Sequence, residues 1–79
     1  MPVTVRYFAR MAEIAGCPCE TIAPVPATAA ALFALLDQRH RFAFGTAALR
    51  VAVNERLVGW QSPLQDGDEV ALIPPVSGG

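Results

Sequence analysis

Apolar and polar residues alternate through Val3-Thr4-Val5-Arg6-Tyr7-Phe8, a period of two that predicts a β-strand with Val3, Val5 and Tyr7 on one side and Thr4, Arg6 and Phe8 on the other. Residues 9–15 are alanine-rich and favour a short helix, with Gly16 as its stop. Glu20-Thr21-Ile22 reads as a second short strand, ended by Pro24 and Pro26. Thr28 then caps the main helix, in which Ala29, Leu32, Phe33, Leu35 and Leu36 form an apolar stripe at three- and four-residue spacing through about Arg39. His40 falls near the helix end, a cap or surface position with no carboxylate partner evident nearby in sequence. Phe42, Phe44 and Gly45 belong to a connecting loop tucked over the edge of the core.

Alternation returns at Leu49, Val51 and Val53, all expected inward. Asn54-Glu55 makes a tight turn into a return strand that begins at Leu57-Val58. Pro63-Leu64 and Asp66-Gly67-Asp68 form a turn cluster, with glycine supplying a positive φ. In the last strand, Glu69-Val70-Ala71-Leu72-Ile73, Val70 and Leu72 face inward and Ala71 and Ile73 outward. Pro74-Pro75 ends it, because neither residue has an N–H for a ladder. Strand, short helix, strand, long helix and three strands make an α+β fold, a mixed sheet of about five strands packed on one main helix.

Composition narrows the chemistry. The 79 residues are 53% hydrophobic and 16% charged, which excludes intrinsic disorder. Six Arg against seven Asp and Glu leave a net charge of −1, without the basic stripe of a nucleic-acid protein. No apolar run reaches the roughly 18–20 residues of a membrane span, and the start lacks a signal-peptide core. A cytoplasmic protein is expected, with neither nucleic acid nor membrane as partner. Cys17 and Cys19 are too few for a disulfide framework, and with His40 they supply at most three of a zinc site's four ligands. Lysine is absent, so no Schiff-base or lysine-base chemistry is possible. Glu13 and Glu20 stand isolated in sequence, and Asp66, Asp68 and Glu69 suit a solvated turn better than a metal cluster. No serine–histidine–aspartate arrangement and no phosphate-binding glycine loop occurs.

What remains informative is the C-terminal segment. Residues 1–74 account for the folded domain, and 75–79 for a flexible tail. Prolines favour an extended arm. Gly78 and Gly79 carry no Cβ, so their backbone fits a slot closed to other residues. Five extended residues reach about 16 Å.

Leu64 to Gly79, with its Pro-Pro-Val-Ser-Gly-Gly ending, closely resembles the C-terminus of the molybdopterin synthase small-subunit family, MoaD-type sulfur carriers. Val5-Arg6-Tyr7-Phe8-Ala9, followed by Glu13 and Gly16, is similar to the family's start, and Val53-Asn54-Glu55 to its central turn. The resemblance implies a ubiquitin-like β-grasp fold, in which the first and last strands are neighbours. It also implies that Gly79 is adenylated by a ubiquitin-activating-type adenylyltransferase using ATP and Mg, then converted to a thiocarboxylate by a sulfur donor protein. The large subunit then receives the tail within a heterotetramer, and the sulfur passes to cyclic pyranopterin monophosphate. On this reading the carrier binds no permanent cofactor, and catalytic side chains belong to the large subunit. Gly78 and Gly79 are the reacting tip, while Phe8, Leu57, Ile73, Pro74, Pro75, Val76 and Ser77 form the partner interface. The same ending also fits a thiamine-pathway sulfur carrier or a ubiquitin-like protein modifier.

Overall fold

A computed structural model describes residues 2–43 and 45–74. The tail assigned to residues 75–79, and Phe44, lie outside these. The elements are β1 (Val3–Tyr7), α1 (Arg10–Ala15), β2 (Cys19–Ile22), α2 (Ala29–His40), β3 (Arg50–Val53), β4 (Arg56–Val58) and β5 (Glu69–Ile73). One five-stranded sheet runs in the order β2-β1-β5-β3-β4. The central pair, β1 and β5, is parallel with Val5 opposite Val70; the flanking pairs are antiparallel. This is the mixed α+β sheet that the alternation implied.

Each strand sends one face to α2. Val3, Val5, Tyr7, Ile22, Val51, Val70 and Leu72 are buried in one cluster with Ala29, Leu32, Phe33 and Leu36 of the helix. Thr28 caps α2 as expected, its Oγ1 accepting the Ala31 N–H at 3.1 Å. Leu35 departs from the expected stripe and is 39% exposed. It sits on the flank of the face defined by Leu32, Phe33 and Leu36, beside Pro24, Val25 and Arg39.

The end of α2 is built without glycine. Arg41 takes the left-handed conformation, its N–H bonding the Asp37 carbonyl, while the Asp37 side chain accepts the Phe42 N–H at 3.0 Å. This reversal drops Phe42 into the middle of the core, deeper than the expected core edge. Its ring meets Phe33 (6.2 Å, stacked), Tyr7 (5.6 Å) and His40 (5.3 Å). The β3–β4 turn uses positive φ at both Asn54 and Glu55, the twist a two-residue hairpin needs. Asn54 also donates to Asp68 and accepts from the Glu69 N–H, both at 3.0 Å, tying this turn to the start of β5.

Truncating Phe42 to Ala removes a ring that has no room to be replaced by collapse of one neighbour. We expect a loss of about 3–5 kcal/mol in chemical denaturation, against less than about 1 kcal/mol for Leu35→Ala.

Candidate functional site

The sheet face away from α2 is uncovered, and strand register decides which side chains it carries. β1 contributes Thr4 and Arg6, with Phe8 following; β5 contributes Glu69, Ala71 and Ile73. β3 adds Arg50 and Ala52, opposite Ile73 and Ala71, and β4 adds Leu57, opposite Ala52. Phe8, Leu57 and Ile73 thus line one shallow groove floored by Ala52 and Ala71. Phe8 is 45% exposed and Leu57 68%, whereas Ala52 is sheltered between its neighbours. Arg6 pairs with Glu69 across the groove at 3.4 Å, a solvated contact of small energetic value. The sequence-predicted apolar trio is therefore brought together, next to Pro74, where β5 gives way to the tail. Pro75, Val76, Ser77, Gly78 and Gly79 lie outside the described residues.

A second cluster forms on the helix-covered face. Glu20 stands opposite Val5, so it points under the end of α2 with Ile22 and not outward. Its Oε1 accepts the Tyr7 hydroxyl and lies 2.6 Å from His40 Nε2, while Arg39 reaches its Oε2 at 3.3 Å. Two expectations are thereby corrected. Glu20 is not an isolated carboxylate, and His40 does have a carboxylate partner, supplied by β2 from 20 residues away. Burial alone would raise the Glu20 pKa; the Tyr7 and His40 hydrogen bonds and the nearby His40 and Arg39 charges outweigh it, leaving the carboxyl below its usual range. Burial, then the Glu20 contact, pushes the Tyr7 hydroxyl far upward, so it stays a donor. The period-two pattern held the missing signal, since Glu20 must share the face of Ile22. Every group in this cluster is satisfied, and it ties the edge strand β2 to β1 and α2.

The two thiols separate. Cys17 is partly buried against the core, and Cys19 is exposed on the open face opposite Arg6. Asp68 is consumed in its turn, accepting from Asn54 and from the Gln65 N–H at 2.9 Å. Among the described residues, no helix is long and apolar enough to cross a membrane.

The open face of the sheet ends beside Pro74, and comparison with known proteins gives the family of this chain. The ThiS family model matches residues 5–79. The chain belongs to the ThiS family. It is similar to the molybdopterin synthase sulfur carrier subunit of Escherichia coli K12, 39% identical over 98% of this chain and 99% of that one. SAMP1 from Haloferax volcanii, a small archaeal modifier protein, superposes with a TM-score of 0.83 at 28% identity over the full length of both chains. A chain in the complex of subunits 1 and 2 of molybdopterin-converting factor from Helicobacter pylori matches at a TM-score of 0.70 and 30% identity, again over both full lengths. The ubiquitin-like β-grasp architecture is thus established for this chain.

The Glu20 cluster makes stability depend on acid. A carboxyl held below its unfolded value stabilises the fold above that value, near 4.5, and loses this as pH falls through its folded pKa. Glu20→Gln is expected to lower the melting temperature at pH 7, with the gap to the parent chain closing below pH 4.5 in melts taken across the acid range.

Proposed function

We propose that this chain is the sulfur-carrying subunit of a molybdopterin synthase, working in the cytoplasm, with Gly79 as the loaded residue. The observation that carries this reading is the near full-length likeness to the Escherichia coli sulfur carrier subunit, joined to the Pro-Pro-Val-Ser-Gly-Gly segment. The chemistry follows from the weakness of a carboxylate as an electrophile. A terminal carboxyl, with pKa about 3.5, is ionised at neutral pH and resists attack. An adenylyltransferase partner with ATP and Mg activates it: a Gly79 carboxylate oxygen attacks the α-phosphorus, pyrophosphate leaves, and an acyl-adenylate forms. A persulfide on a sulfur donor protein attacks the acyl carbon, and AMP departs with the bonding pair. A second thiol of the donor then attacks the inner sulfur, breaking the S–S bond so that the thiocarboxylate leaves and the donor is left as a disulfide. The resulting thiocarboxylate sulfur is the nucleophile that the large subunit directs at cyclic pyranopterin monophosphate.

This division asks little of the carrier. It needs a slim tip, for which Gly78 and Gly79 have no side chain, and an extended arm, favoured by Pro74, Pro75, Val76 and Ser77. It also needs a docking surface, and the groove of Phe8, Leu57 and Ile73 at the root of that arm suits one. Acid–base groups and substrate contacts belong to the large subunit, so the carrier itself is not the catalyst. The likeness to SAMP1 favours a second reading, a ubiquitin-like modifier whose activated glycine is joined to a lysine of another protein.

Moving the terminus tests the assignment of Gly79. One alanine appended after it should abolish sulfur transfer in a reconstituted synthase assay while the thermal melt stays unchanged; transfer at the parent rate would refute the assignment, and lysine conjugates without pterin product would favour the modifier. Phe8→Ala should weaken association with the large subunit by about 2 kcal/mol in calorimetry while costing the isolated fold less than about 1 kcal/mol.

A further inference from the structure

A partner that buries Ile73 must also cover Arg50. The two are cross-strand Cα partners in the β3–β5 ladder, which places their side chains on the same face with Cβ atoms about 5 Å apart. Arg50 is exposed, and among the described residues no carboxylate or hydrogen-bond partner engages it. Arg6 on the same face is already matched by Glu69. A guanidinium does not shed its charge when water is removed, and an unpaired buried cation strongly opposes association. Docking over Ile73 therefore requires an acceptor.

We propose that the surface docking on this face carries a carboxylate that pairs with Arg50 beside the root of the tail, and that this pair fixes the docking orientation. The inference rests on the open-face docking proposed above. Its geometry has a built-in polarity. Arg50 lies at the end of the groove where β5 runs into Pro74. Glu55 lines the opposite end, next to Asn54, whose N–H bonds the Glu69 carbonyl at the start of β5. A partner seated in reverse would bring its carboxylate to Glu55, where like charges repel. Seated correctly, the carboxylate meets a forked donor that favours two parallel hydrogen bonds, and the tail points onward into the partner.

Binding of the full chain to the large subunit from the same source tests this by calorimetry at low and high salt, with Phe8→Ala alongside. Arg50→Met keeps an apolar stem and removes the charge; it should raise Kd about tenfold and flatten the salt dependence. Arg50→Glu should raise Kd by about a hundredfold at low salt, with melts of both variants unchanged. If both variants bind like the parent chain while Phe8→Ala weakens binding, the face docks without an acidic contact and the inference is overturned. If Phe8→Ala is also without effect, the open-face reading itself fails, and the Arg50 inference with it.

Discussion

Parallel pairing of the first strand with the last is the constraint on which the rest of this molecule depends. Because Val5 lies opposite Val70 and Tyr7 opposite Leu72, both strands run out at the same end of the sheet. One consequence is the core, since Val3, Val5, Val70 and Leu72 occupy its centre, fully buried beneath α2. Another is the open face, where Phe8 and Ile73 emerge together near Pro74. A parallel pair cannot be closed by a hairpin, so everything between residues 8 and 68 acts as the crossover, with α2 as its main covering element. The terminal segment consequently leaves from the middle strand of a rigid sheet and not from a frayed edge.

The alternation of short strands and the Thr28 cap made the architecture legible, because each is a local signal that tertiary packing reinforces. Asn54 marked the hairpin for the same reason: its side chain tolerates positive φ and also satisfies two groups at the neighbouring turn. What escaped local reading depended on register between distant segments. Glu20 and His40 find each other only once β2 is laid against β1, and Arg50 acquires meaning only when β3 places it against Ile73. Phe42 escaped because the helix terminates in a left-handed arginine, a conformation that sequence associates with glycine. Leu35 misled because apolar character near a stripe does not fix which side of the helix meets the sheet. For the terminal segment, the glycines and prolines of the sequence themselves carried the signal, since residues 75–79 lie outside those the structure describes.

Stability and function are separated in this design. The Tyr7–Glu20–His40–Arg39 cluster and the Phe33–Phe42 stack lie on the helix side, where they hold the edge strand and the loop after α2. Neither reaches the open face. On the open face Phe8, Leu57 and Arg50 are exposed, apart from the cluster buried beneath α2.

The central claim is that Gly79 carries sulfur. Its most direct test is the intact mass of the chain purified from cells that also produce its activating enzyme and sulfur donor. The account predicts a mass gain equal to exchanging one oxygen for one sulfur, located at Gly79 by fragmentation and lost when the activating enzyme is removed. A chain of unmodified mass beside an active activating enzyme and donor, or sulfur found on Cys17 or Cys19 in place of Gly79, would contradict it.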